Sequence, residues 1–132
     1  MNAPSEDVKD MLIAESDLGL TFNSNLFVGR VPAKPPDAVT IIDTYGYPPD
    51  LGLSEADYER PGVQIIIRNR DYTVGMHLAQ DIKVLLHGRK HETWNGTLYL
   101  VLTCLGNPAL LEWTENGLAT FSINFNLQRR VA

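Results

Sequence analysis

The chain is poor in several things, and each shortage removes a class of protein. It has one cysteine, Cys104, in 132 residues, so no intramolecular disulfide can staple it. Basic residues are outnumbered, 11 Lys and Arg against 16 Asp and Glu, giving a net charge of −5. A general nucleic-acid binder carries a basic footprint, and that class loses weight here. No apolar run approaches the roughly 20 residues that cross a bilayer, so no membrane contact is expected. The N-terminus, Met-Asn-Ala-Pro-Ser-Glu-Asp, is acidic and lacks the basic-then-apolar order of a signal peptide. The expected setting is a cytosol-like compartment, or an assembly built in one.

Catalytic motifs are missing too. There is no phosphate-cradling glycine loop, no cysteine pair and no His-Glu-x-x-His. There is no Gly-x-Ser-x-Gly elbow. His87 and His91 are spaced by four, but Gly88 interrupts any helix between them, so they read as exposed histidines near a helix end. His77 reads as a surface residue. The expectation is no catalytic residue, no metal and no cofactor.

What is present is concentrated between Tyr58 and Arg89. Pro61-Gly62 makes a turn, and Val63 to Asn69 is β-branched and predicts a strand. Ile66 lies across the pleat from Ile65 and Ile67, which predicts a central strand covered on both faces. Asp71 then supplies a helix N-cap. Tyr72, Met76, Ala79, Ile82 and Leu86 follow at helical spacing, with Leu78 and Leu85 widening the stripe. Gly88 is placed to end the helix. Such a helix, about 25 Å long, needs a sheet to lie on.

The rest of the chain supplies one. Ser5 is a candidate N-cap for a short helix whose Val8, Met11 and Leu12 share a side. Leu26 to Val31 and Val39 to Thr44 predict strands. Thr97 to Leu105 predicts another, with Leu98, Leu100, Leu102 and Cys104 on one face and Tyr99, Val101 and Thr103 on the other. Cys104 reads as a buried structural residue, against a reactive thiol. Leu110 to Glu115 predicts a short strand, and Asn116-Gly117 a primed hairpin turn. Ala119 to Gln128 has the cleanest alternation: Phe121, Ile123, Phe125 and Leu127 point one way, Ser122, Asn124, Asn126 and Gln128 the other. The uncharged polar face is either an exposed sheet surface or a subunit contact, since amides pair across an interface without burying charge. The fold class is α+β: one domain over residues 1–132, with a mixed or antiparallel sheet and two helices packed on it.

One connection is unusual. Residues 43–62 read as a long loop containing Gly46, Pro48, Pro49, Gly52, Pro61 and Gly62, yet also Tyr45, Tyr47, Leu51, Leu53 and Tyr58. Disordered linkers lack such residues. The loop is expected to be ordered, packing either on its own domain or on a neighbouring subunit. For Asp43, Arg60 and Arg68, a salt bridge at the loop base and a subunit contact both stand. Arg129 and Arg130 fit either an outer rim or an acidic neighbour.

Three stretches, in this order, resemble the tail terminator proteins of long-tailed bacteriophages, often labelled minor capsid proteins. They are Asp43-Thr44-Tyr45-Gly46-Tyr47-Pro48-Pro49, then Tyr58-Glu59-Arg60-Pro61-Gly62 running through Val63–Arg68 into the Tyr72–Leu86 helix, and Asn116-Gly117 followed by Phe121-Ser122-Ile123-Asn124-Phe125. The resemblance implies a structural virion protein of the head–tail junction, assembled in the host cytoplasm. It implies a homo-oligomeric, commonly hexameric ring on the head-proximal end of the tail tube. The ring ends tube polymerisation and presents the head-joining surface. Its partners are then the tail tube protein and a head-completion or connector protein, with DNA passing through the channel unbound. The subunit or tube interface is expected at Asp43, Tyr45, Tyr47, Pro48, Pro49, Tyr58 and Arg60. A head-completion or stopper protein at the portal side, and a monomeric bacterial α+β ligand-binding domain, are the alternatives.

Overall fold

In a computed structural model of the chain, residues 1–48 and 58–131 are described. The elements run α1 (Pro4–Ala14), a 3-10 turn (Ser16–Leu18), β1 (Leu26–Val28), β2 (Ala38–Tyr47), β3 (Arg60–Asn69), α2 (Tyr72–Leu86), β4 (Lys90–Trp94), β5 (Thr97–Cys104), β6 (Ala109–Trp113) and β7 (Ala119–Val131). The strands form one curled, mixed seven-stranded sheet in the order β1-β2-β3-β7-β5-β4. β6 joins the same edge of β7 as β5, nearer the start of that strand. Among the described strand pairs only β1–β2 is parallel. The α+β class with two helices on the sheet is as expected.

Both helices lie on one face. α1 buries Val8, Met11 and Leu12, and α2 buries Ala79, Ile82 and Leu86, against Val39, Ile41, Val63, Ile65, Ile67, Phe121, Ile123, Phe125 and Leu127. These sheet residues are all odd-numbered because alternate residues of a strand share a face. Asp71 caps α2, its Oδ1 accepting from the Val74 N–H at 3.1 Å. Gly75 lets α2 approach closely: a Cβ there would sit 2.7 Å from the buried Phe121 ring. Gly88, with φ +85°, follows the helix as expected.

Several expectations change. Ala3, not Ser5, is the N-cap of α1. The Glu6 carboxylate accepts from the Ala3 N–H at 2.7 Å, and Pro4 sits where a missing N–H costs nothing. β1 ends at Val28, where Gly29 turns the chain with φ +86°. β4 is a strand the hydrophobic pattern did not announce. The turn after β6 is not primed: only Gly117 has positive φ, +78°, and it closes a longer loop from Thr114. In β5 a bulge at Leu100 reverses the side-chain alternation, since Tyr99 pairs Arg129 while Val101 pairs Gln128. Tyr99 therefore joins Leu102 and Cys104 on the core face, and Leu98 goes with Val101 and Thr103. Cys104 is only half-buried, with its Sγ donating to the Gly106 carbonyl at 2.8 Å.

One end of the core is polar. Asp7 and Tyr99 are fully buried, and Arg129 nearly so. The Tyr99 hydroxyl donates to Asp7, and Asn95 Nδ2 donates to the same carboxylate at 2.7 Å. Arg129 donates to Glu59 Oε2 at 3.0 Å and to the Asn2 carbonyl at 2.9 Å, with Asp7 4.0 Å away. Burial, then the Asp7 bond, push the Tyr99 pKa far above its ordinary value, so the hydroxyl stays a donor. Arg129 thus turns inward to the chain's own acids. This network ties the N-terminus, the start of β3, the β4–β5 turn and the end of β7 together.

Candidate assembly interface

The face without helices carries the even-numbered residues. Cross-strand rows read Thr40–Ile66–Ser122, then Ile42–Gln64–Asn124, then Thr44–Gly62–Asn126 with Thr103 beyond. Ile66 is buried although no helix covers it. Arg68 anchors one end of this face, donating to the carbonyls of Pro35 and Pro36 at 2.6 and 3.1 Å. That is a structural role at the base of a turn.

At the other end the face becomes aromatic and cationic. Residues 43–47 and 60–62, expected as loop, are strand. β2 and β3 pair from Ala38↔Arg68 down to Tyr47↔Arg60, with a register shift between Thr44 and Tyr47. There, Tyr45 and Gly46 oppose Pro61 alone, which is a β-bulge. The chemistry of these residues explains it. Pro61 has no N–H to give a ladder, so it is tolerated opposite a bulge. Gly46 has φ +64°, and a Cβ on it would overlap the Arg60 carbonyl oxygen. A Cβ on Gly62 would overlap the Thr44 hydroxyl. The bulge re-aims Tyr45 wholly into solvent, at 102% relative exposure.

Tyr47 and Arg60 line a shallow groove of about 270 Å³ with Val101, Thr103, Leu105 and Gln128. The Arg130 guanidinium lies 5.8 Å from the Tyr58 ring centre, a cation–π contact on the same side of the sheet. The remaining expected residues are distributed differently. Asp43 accepts from both the N–H and the hydroxyl of Ser5, at 2.9 and 2.7 Å, holding the start of α1 on β2. Pro48 is exposed just beyond Tyr47. Pro49 lies outside the described residues. The structure therefore brings Tyr47 and Arg60 together, sets Tyr45 beside them on the bulge, and gives Asp43 an internal partner. Sequence reasoning missed Val101, Leu105 and Arg130 as neighbours of this groove. The β5 bulge, invisible in the alternation, places Val101 there.

Among the described residues no group of three His, Cys, Asp or Glu side chains could hold a metal, and no helix is long and apolar enough to cross a membrane. His87 is engaged, its Nδ1 accepting from the Cys104 N–H at 3.0 Å.

A family described as "Bacteriophage tail terminator protein" matches residues 9–131. The chain belongs to the bacteriophage tail terminator family. It is a structural protein of the phage virion, located in the tail. No curated protein matches it. Among solved structures, a chain of the "Virion of native gene transfer agent (GTA) particle" is similar, with a TM-score of 0.67 and 14% identity, over 97% of this chain and 95% of that one. At that identity the likeness speaks to the fold. Within the terminator fold, the helix-free face is the surface whose residues the core does not explain.

Proposed function

We propose that this protein closes as a hexameric ring on the head-proximal end of the tail tube, ends tube polymerisation there, and presents the surface that joins the head. The observation that carries this reading is the bulged end of the β2–β3 pair. Gly46, Pro61 and Gly62 hold Tyr45 outside the fold, where it contributes nothing to the core. Tyr47 and Arg60 line the groove beside the bulge, and the Arg130 guanidinium lies on the Tyr58 ring. Tyrosine and arginine are the residues that concentrate at interface centres. The assigned contact residues are therefore Tyr45, Tyr47, Pro48, Pro49, Tyr58 and Arg60 toward a neighbouring subunit or the tail tube protein, with Asp43 positioning β2 against α1. A head-completion or connector protein meets the opposite end of the ring.

A net charge of −5 suits a channel through which DNA passes, because phosphate binding is driven by Lys and Arg. The role requires no catalytic group and no cofactor. Replacing Tyr45, Tyr47 and Tyr58 together by Ala tests the reading. The variant is expected to fold, to lose ring assembly, and to leave tail tubes uncapped in negative stain. A folded variant that assembles and caps like the parent chain contradicts it.

A further inference from the structure

Two opposite edges of the sheet match each other, and neither is used by the groove described above. On one side stands β6, an edge strand that pairs, among the described residues, only with β7. All five of its residues are exposed. Leu111 and Trp113 are 56% and 54% exposed, and the Trp113 ring stacks on half-exposed Tyr72 with centroids 6.2 Å apart. Glu112 and Glu115 flank this apolar ridge. On the other side, beyond β1, lies a groove of about 690 Å³ lined by Phe22, Phe27 and Val31, with Arg30 on its wall and Lys34 exposed nearby. None of Arg30, Lys34, Glu112 or Glu115 has an ion-pair partner among the described residues.

The pairing register sets these two features level. Leu26↔Val39, Val39↔Ile67, Ile67↔Phe121 and Phe121↔Leu110 make one transverse row across five strands. Its ends are about 19 Å apart at ordinary strand spacing. One end presents an apolar ridge with acidic flanks, the other an apolar groove with basic flanks. Surfaces that complement each other but not themselves make head-to-tail contacts, and such contacts close into rings when the rotation allows.

We infer that the occupant of the β1-side groove is the β6 ridge of a second copy of this chain, with Glu112 and Glu115 set against Arg30 and Lys34 of the receiving copy. This rests on the ring proposed above and assigns its subunit-to-subunit contact.

The test uses two charge-reversed full-length chains. One carries Glu112→Arg and Glu115→Arg, so both of its edges are basic. The other carries Arg30→Glu and Lys34→Glu, so both of its edges are acidic. All four positions are exposed, and melting curves check that both variants fold. Assembly is read by light scattering, alone and in the presence of isolated tail tubes. Each variant alone should need a concentration more than about tenfold higher than the parent chain to assemble, because like charges then face each other. The mixture should assemble as the parent does, into rings in which the two chains alternate. Parent-like assembly of either variant alone overturns the edge assignment and leaves the ring standing. So does a mixture of folded chains that stays monomeric. A parent chain that forms no ring, with or without tubes, overturns the ring itself and this inference with it.

Discussion

The two faces of the sheet are built from the same strands by different rules. On β3 and β7 the odd residues are Val63, Ile65, Ile67, Phe121, Ile123, Phe125 and Leu127, all buried under the helices. The even residues between them are Gln64, Ile66, Ser122, Asn124, Asn126 and Gln128, with Tyr47, Arg60 and Arg130 at the end. One face is answered inside the chain, because apolar area removed from water stabilises by about 25 cal/mol per Å². The other has no such internal explanation. Its uncharged amides and hydroxyls, ending in tyrosines and arginines, suit the contact with another protein proposed above. A period of two lets one strand bury one face in the fold and leave the other for that proposed contact.

The sharpest way to break the comparison is to truncate matched residues on the two faces. Phe121→Ala, on the core face, should cost about 3–5 kcal/mol in a denaturant titration. Tyr45→Ala, at the bulged end of β2, should change stability by less than about 0.5 kcal/mol while weakening assembly. A comparable effect to Phe121 is expected from Arg129→Ala. It leaves the buried Asp7 carboxylate its Tyr99 and Asn95 donors but takes away its countercharge, and removing one partner of a buried ion pair costs about 3–5 kcal/mol.

Gly46→Ala links the two faces. Its Cβ can be accommodated only by shifting the Arg60 backbone, and such overpacking costs about 1–3 kcal/mol. Because the bulge aims Tyr45, this variant should lose assembly more than its stability loss explains. Measuring both in one preparation separates the effects.

The smallest effect should come from the exposed pair Arg70–Asp37, at 3.0 Å. Partial burial pushes the Asp37 pKa up, but the Arg70 hydrogen bonds and charges outweigh it and hold the carboxyl below its usual value. The pair's contribution is therefore present above the ordinary carboxylate range and fades as pH falls through the lowered folded value. Asp37→Asn should remove that part of the acid-side slope and change neutral-pH stability by less than about 1 kcal/mol.

How far the sequence could be read follows from the same two codes. α2, β3 and β7 were legible because burial imposed a clean period on Ile65–Ile67, on Phe121–Leu127 and on Ala79–Leu86. β4 was not, since Lys90-His91-Glu92-Thr93-Trp94 is an edge strand with no apolar alternation to betray it. Gly46 and Pro61 look like strand breakers, and they are tolerated because they face each other across a bulge. Simple alternation puts Tyr99 on the wrong face for a related reason: an extra residue at Leu100 shifts the count by one. The Asp7–Tyr99–Arg129 network joins positions 92 and 30 residues apart, and no local pattern marks it. The tyrosines at 45, 47 and 58 were visible as residues out of place in a loop. What surrounds Tyr47 and Arg60 required the sheet.

The most direct measurement is negative-stain imaging of isolated tail tubes mixed with the parent chain or with the folded Tyr45→Ala, Tyr47→Ala, Tyr58→Ala variant. The account predicts capped ends of closed rings for the parent and bare, still-polymerising ends for the variant. A triple variant that melts with the parent and caps tubes as well as it does would contradict the assignment of the helix-free face to assembly.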